Sequence, residues 1–262
     1  MKISDFYAYR KGARKISMVT AYDYVAARLA QESAVDCVLV GDSLAMVVHG
    51  YPSTTAATLE MMVPHVAAVR RGVKDKLLVA DMPFLSFRKG KAAAAEAAGR
   101  LIQAGAEAVK LEGARGHEDA VAHLVQSGVP VMGHLGLTPQ SVNAFGGYKV
   151  QGRGAKAARE MLQDAKALEA AGCFALVLEC VPAALAAKIT RALKIPVIGI
   201  GAGPKTDGQV LVIYDLLGFY KDLSPRFNKK YLEGYALSVK ALNRFDAEIK
   251  GGQFPAKEHS YS

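Results

Sequence analysis

Short apolar runs recur along the chain, each bounded by Gly, Pro or a polar residue. "ISMVT" (16–20), "CVLVGD" (37–42), "LLVAD" (77–81), "AVKLE" (108–112), "VPVMGH" (129–134), "ALVLE" (175–179), "PVIGIG" (196–201) and "QVLVIYD" (209–215) make eight. Most are rich in Val, Ile and Leu without clean polar alternation, the pattern of parallel strands covered on both faces. Between them lie stretches of helical period. "AKAAREMLQDAKALEAAG" (155–172) sets Ala158, Met161, Leu162, Ala165 and Leu168 on one face and stops at Gly172. "AAAAEAAGRLIQAG" (92–105) ends likewise at Gly105, and "AALAAKITRAL" (183–193) is a third such stretch. Strand and helix in strict succession predict an α/β chain with a parallel sheet. Eight strands in 262 residues leave little chain for a second domain. The pattern therefore predicts a single (β/α)8 TIM barrel over 1–262, with 219–262 as a C-terminal helical segment. A doubly wound open sheet is the structural runner-up. An internal echo supports repeated units: "AGAEAVKLEG" (104–113) and "AGCFALVLEC" (171–180) each run from a helix-ending Ala-Gly to a Glu seven positions beyond that Gly.

Composition narrows the class. With 51% apolar and 22% charged residues the chain has material for one large core. Cys37, Cys173 and Cys180 fit no zinc spacing and read as reduced core thiols in a cytoplasmic protein. The first residues lack the apolar core of a signal peptide, and Glu179 and Pro182 interrupt the one long apolar stretch, so no membrane span is expected. The net charge of +9 gathers in Arg10, Lys11, Arg14 and Lys15 and in the residues from Arg226 to Lys250, where Asp222, Glu233, Asp246 and Glu248 are interspersed. No nucleic-acid motif accompanies them; solvated surface is the first reading and steering of anionic substrates the second.

The candidate chemistry lies where the runs end. Asp42, Asp81, Glu112, His134, Glu179 and Asp215 close six of them, and Lys110 stands one step inside, on the same side of its strand as Glu112. In barrels of this type the carboxyl ends of the strands form the catalytic rim. Singly, Asp42 or Asp81 reads as a helix cap, Asp215 as a cap or turn residue, Lys110–Glu112 as a structural ion pair, and His134 as a near-core histidine. Their convergence on one rim reverses that reading. Asp42, Asp81 and Glu112, with no thiol or histidine cluster, suit a hard divalent ion such as Mg2+. Such an ion can grip a 2-oxo acid and stabilise an enolate. Glu179 is then placed to act as base, and Lys110 to offset the oxyanion charge. Ser43 follows the first rim Asp, where it can receive a substrate carboxylate, and the Gly-rich segment 133–154 has the length of a lid or binding loop.

The segments "VTAYDY" (19–24), "LVGDSL" (39–44), "AVRRG" (68–72), "VKLEG" (109–113), "GHLGLTPQSVNAFGGYKVQGRG" (133–154), "LVLECVP" (176–182), "PVIGIGAG" (196–203) and "DGQVLV" (207–212) carry a resemblance over nearly the whole chain. Together they resemble the ketopantoate hydroxymethyltransferases. The resemblance implies a (β/α)8 barrel that transfers a one-carbon unit from methylenetetrahydrofolate to 3-methyl-2-oxobutanoate, giving 2-dehydropantoate for pantothenate and coenzyme A synthesis. It further implies Asp42, Asp81 and Glu112 as Mg2+ ligands, Ser43, Asp81, Lys110 and His134 as oxo-acid contacts, and Glu179 as the base. A cytoplasmic homo-oligomer, decameric in bacterial members, is implied with small-molecule partners, no nucleic acid and no membrane. The chain departs from the family pattern at Ala45 and over 51–65, where Pro64 falls inside an expected helix and should bend or delay it. The competing enzyme class is a Mg2+-dependent carbon–carbon lyase of the isocitrate lyase/phosphoenolpyruvate mutase type. The competing non-enzyme reading is a barrel kept for binding or assembly.

Overall fold

All eight apolar runs are strands in the computed structural model, which describes residues 2–11, 14–221 and 225–261. They are β1 (Ile16–Thr20), β2 (Cys37–Val40), β3 (Leu77–Asp81), β4 (Ala108–Glu112), β5 (Val131–Gly136), β6 (Ala175–Glu179), β7 (Val197–Ile200) and β8 (Gly208–Leu211). Each pairs in parallel with the next, and β8 returns to β1 to close a barrel. The helices of this first compact unit, residues 1–212, are α1 (Ile3–Lys11), α2 (Tyr24–Glu32), α3 (Leu44–Val47), α4 (Leu59–Gly72), α5 (Lys91–Gln103), α6 (Glu118–Gln126), α7 (Val142–Phe145), α8 (Ala155–Ala170) and α9 (Ala183–Ala192). The architecture is the (β/α)8 TIM barrel that the strand–helix alternation predicts.

Boundaries moved where hydrogen-bond partners ran out. Pro130 has no amide hydrogen to donate to a ladder, so β5 starts at Val131 and runs on to Gly136. The pairing of β8 with β1 stops at Val19–Leu211. Asp215, expected as a strand ending, therefore lies beyond the strand. Pro64 sits inside α4 without delaying it: Thr58 Oγ1 accepts from the Met61 amide as N-cap, and Met62, Val66 and Val69 are buried below.

Alternate residues of each strand point into the barrel. Ile16 and Met18, Cys37 and Leu39, Leu77 and Val79, Ala108, Met132, Ala175 and Val177, Ile198 and Val210 form its apolar filling. Phe6 of α1 is fully buried against this cluster and meets Phe174 edge-on with centroids 5.5 Å apart. The amino-terminal mouth is thus plugged. Two of the basic residues read as solvated surface have structural work there: Arg10 donates to the Thr190 and Ile195 carbonyls, and Lys15 to the Thr206 carbonyl. Arg14 stays exposed beside Asp36, and the Lys11 side chain lies outside the described residues.

Residues 213–262 make a second compact unit with α10 (Ile213–Leu216), which holds Asp215 in its first turn, and α11 (Gly234–Lys250). Arg244–Glu248 and Lys250–Asp246 pair along α11 at 2.6 and 2.8 Å, and Lys230–Glu233 pair just before it at 3.9 Å, so the helical part of the basic run is a solvated, salt-bridged face. Asp222 lies outside the described residues.

Candidate active site

The inward stripe of strands β3 to β6, followed two residues further toward the carboxyl end, changes from apolar to polar. Val79 is succeeded by Asp81, Ala108 by Lys110 and then Glu112, Met132 by His134, and Val177 by Glu179. The register sets Asp81 beside Lys110 and Glu112 beside His134 across neighbouring strands. A polar layer therefore caps the apolar filling at the carboxyl-terminal mouth. Asp42, Asp81, Lys110, Glu112 and His134 are each no more than 5% exposed, while Glu179, at the outer edge, keeps 17% of its side chain exposed.

Asp81 anchors one side of the layer. Its Oδ1 meets Lys110 Nζ at 2.8 Å, and its Oδ2 accepts from the Asp42 amide at 3.1 Å. The Asp42 side chain caps no helix; its Oδ2 accepts from Gln140 Nε2 at 2.8 Å. The Gln140 side chain also reaches the Met82 carbonyl, and its backbone amide donates to Glu112 Oε2 at 3.0 Å. On the other side, His134 Nδ1 faces Lys110 Nζ at 3.3 Å and Glu112 Oε1 at 3.4 Å. His134 Nε2 lies 3.4 Å from Glu179 Oε2, without a well-formed hydrogen bond. Burial, and then the Lys110 charge, hold the imidazole below its ordinary pKa against the pull of Glu179. The histidine is accordingly neutral, its Nδ1 lone pair toward the ammonium and its Nε2–H toward Glu179.

The layer is short of positive charge. Burial, followed by the charges of Asp81 and Glu112, pushes Asp42 well above the ordinary carboxylate range. Burial also raises Glu112 to about 7, although Lys110 pulls it down. Lys110 is disfavoured by burial, yet Asp81, Glu112 and Asp42 together hold its ammonium above its ordinary value. Three buried carboxylates facing one ammonium must take up a proton or a further cation. In charge and in all-oxygen donor chemistry the trio fits a hard divalent ion. Its oxygens do not converge as a ready-made shell: among the described residues no group of three or more His, Cys, Asp or Glu is set to hold a metal. Asp42 Oδ2 is turned to Gln140 and Asp81 Oδ1 to Lys110.

Ser43 begins α3 but makes no capping bond; its Oγ meets the Tyr22 hydroxyl at 2.8 Å. Two glycines give this mouth its shape. A Cβ on Gly41 would lie 2.7 Å from Ser43 Oγ and 3.5 Å from Asp81 Oδ2. Gly136, at φ +99°, lets the chain pass the Glu179 carbonyl, which a Cβ would meet at 2.1 Å. Every residue expected at the rim on strands β2 to β6 thus lies in one layer or directly beside it. Gln140 and Tyr22 were missed as individuals. They stand in "GLTPQS" and "VTAYDY", and a lone buried amide or phenol leaves no periodic signature in a loop.

The profile of the ketopantoate hydroxymethyltransferase family matches residues 1–257. Among curated proteins, the 3-methyl-2-oxobutanoate hydroxymethyltransferase of Coxiella burnetii (strain CbuG_Q212) is 52% identical over 263 residues, covering 100% of this chain and 99% of its own. That of Legionella pneumophila (strain Lens) is 52% identical with both chains wholly covered, and that of Bdellovibrio bacteriovorus is 53% identical over 99% of each. Among solved structures, a phosphonopyruvate hydrolase complexed with oxalate and Mg2+ superposes with a TM-score of 0.65 at 13% identity, over 100% of this chain and 92% of its own. A 2,3-dimethylmalate lyase gives 0.61 at 16% identity, over 98% and 91%. At such identity these two likenesses speak for the barrel alone, whereas the whole-length match to the transferases settles the lineage: the chain is an enzyme of the hydroxymethyltransferase kind and belongs to the ketopantoate hydroxymethyltransferase family.

Proposed function

We propose that the enzyme transfers a hydroxymethyl group from methylenetetrahydrofolate to 3-methyl-2-oxobutanoate, giving 2-dehydropantoate for pantothenate and coenzyme A synthesis. The observation that carries this reading is the polar layer, in which Glu179 and Lys110 reach the same neutral histidine from opposite sides. Asp42, Asp81 and Glu112 would hold Mg2+, the ion named with the phosphonopyruvate hydrolase. Held there, the ion would supply Lewis acidity to a bound 2-oxo acid.

The protein groups do the rest. Glu179, the most exposed acid of the layer, takes the C3 proton, and the electron pair moves into the C3–C2–O system. Lys110 faces the negative charge that develops on oxygen. His134, kept neutral, turns its Nε2 toward Glu179 at 3.4 Å. Ser43, oriented by Tyr22, receives the substrate carboxylate. Carbon C3 then bonds to the methylene carbon as one of its C–N bonds to the folate breaks. Water supplies the hydroxyl oxygen as the second C–N bond breaks. The C3 proton from Glu179 and a proton from that water go to the two folate nitrogens, so that tetrahydrofolate leaves.

The test is exchange of the C3 proton into D2O with Mg2+ and no folate. Wild type should exchange it. Glu179→Gln should bind the oxo acid yet lose exchange by at least a hundredfold, in line with the roughly 10²–10⁴ that a general base contributes. Unchanged exchange in that variant would remove Glu179 from the role. Turnover of a 2-methylisocitrate-type acid, with none of the oxo acid, would instead favour the carbon–carbon lyase reading, which the shared barrel keeps in view. A cytoplasmic homo-oligomer, decameric by the family resemblance, belongs to the same proposal. The assembly is supported by the apolar residues that α11 exposes, Leu237, Leu242, Phe245 and Ile249 among them. Sedimentation equilibrium tests the assembly.

A further inference from the structure

Outside the polar layer, two histidines face each other across a rim loop, and the proposed reaction uses neither. His49 follows α3, and His65 lies in the second turn of α4. Their Nε2 atoms are 3.0 Å apart, with ring planes at 88°. His65 Nδ1 lies against the backbone carbonyl of Tyr22. A carbonyl only accepts, so Nδ1 carries the proton and the neutral His65 ring turns its Nε2 lone pair toward His49. Without an ion, His49 Nε2–H donates to that lone pair at 3.0 Å; the exposed His49 ring can move its proton to Nδ1 and present its own Nε2 lone pair when a metal enters.

We propose that His49 and His65 form a binding site for a nitrogen-preferring divalent transition-metal ion of the Zn2+ class, with water completing its shell. The spacing suits it. With Zn–N bonds of about 2.05 Å, nitrogens 3.0 Å apart subtend about 94° at the ion, between a cis-octahedral and a tetrahedral angle. The bond from His65 Nδ1–H to a backbone carbonyl is the outer-shell contact that metal-bound imidazoles usually make, and it fixes the donating nitrogen in advance. Two imidazoles select against Mg2+, which takes oxygen, so this site differs in kind from the carboxylate layer. With two protein ligands and solvent access the ion exchanges, unlike one in a closed four-ligand structural site.

The position gives such an ion something to act on. It ties together the two ends of segment 49–65, whose 3₁₀ turn at Thr54–Ala56 packs on the Pro139–Ser141 turn that carries Gln140. Tyr22, whose carbonyl holds His65, places its hydroxyl on Ser43. Occupancy therefore stiffens one wall of the catalytic mouth.

Titration calorimetry with Zn2+, on the full chain in excess Mg2+, tests the site. Wild type should bind one equivalent. His49→Gln, an exposed change, should weaken binding at least tenfold, and so should His65→Asn where circular dichroism shows it folded. Asp42→Asn should leave Zn2+ binding as it is, which separates this site from the carboxylates and makes the outcome independent of the proposed reaction. Bound Zn2+ should also slow amide hydrogen exchange across residues 50–58. Equal Zn2+ affinity in His49→Gln and wild type overturns the proposal, as does the absence of binding at millimolar Zn2+.

Discussion

Lys110→Met is the sharpest single perturbation of the polar layer. The ammonium lies 2.8 Å from Asp81 Oδ1, with both side chains 6% exposed. At an effective permittivity of about 20, a pair at this separation attracts by about 6 kcal/mol. Desolvation of both ions offsets most of that, so the intact pair is a weak net stabiliser. The variant forfeits the attraction and keeps the burial of Asp81. Asp42 and Glu112 lose the same cation. Breaking a buried pair from one side costs about 3–5 kcal/mol, and that is the expected loss in urea unfolding.

Protonation sets the pH dependence. Glu112 already titrates at about 7, so without Lys110 the trio sheds its excess charge by binding protons. The native state then binds more protons than the unfolded chain, whose carboxylates titrate at ordinary values. Stability present at low pH is therefore lost as pH rises through the raised native values. The destabilisation should be larger near pH 8 than near pH 6. Adding Asp81→Leu removes the unpaired partner and should recover much of the loss, because an apolar replacement of a buried pair is often neutral. Proton exchange from the oxo acid should fall by roughly 10²–10³ in Lys110→Met, the scale of one lost electrostatic donor. The reasoning fails if the single variant unfolds within about 0.5 kcal/mol of wild type at both pH values, below any of the effects invoked, or if its deficit grows as pH falls.

Three other changes probe different parts of the layer and its surroundings. Gly41→Ala puts a Cβ 2.7 Å from Ser43 Oγ; overpacking of about 1–3 kcal/mol and weaker oxo-acid binding are expected, and wild-type values in both urea unfolding and substrate titration would contradict the crowding. Gln140→Leu leaves Asp42 Oδ2 and the Met82 carbonyl without their donor; at about 1–3 kcal/mol for each stranded buried group, the urea midpoint should drop clearly, and Gln140→Glu, which adds another acid, should drop it further. Burial raises Asp215 to about 6, above its ordinary value, so its contribution to stability is present below about 4 and fades as pH rises through 6. Asp215→Asn should flatten that pH dependence, read by amide exchange within residues 213–262, and an unchanged profile would count against it.

What could be read in advance, and what could not, follows from the range over which each signal acts. A parallel barrel strand has a period of two and two buried faces, so five residues suffice to reveal both the strand and the side each residue takes. That is why Lys110 and Glu112 were legible as neighbours, and why Glu112 and Glu179 came out as the inward ends of β4 and β6. Closure of the barrel then joins these local signals into one layer, since Asp81–Lys110 and Glu112–His134 are register partners. No comparable rule covers the loops. Gln140 reaches Asp42 across 98 positions through a 3₁₀ turn, and His49 meets His65 across 16 positions. Arg10 and Lys15 looked like surface because charge alone does not reveal that β-strand ends and helix ends at the plugged mouth leave carbonyls needing donors. The polar layer itself was visible because it breaks the rule that fills the barrel below it. An interior position that could hold Val or Ile holds instead an acid raised above its ordinary pKa by burial, beside a lysine that burial disfavours. Stability alone selects against that arrangement. Its confinement to the open mouth, directly above a fully apolar filling, is what ties it to chemistry rather than to folding.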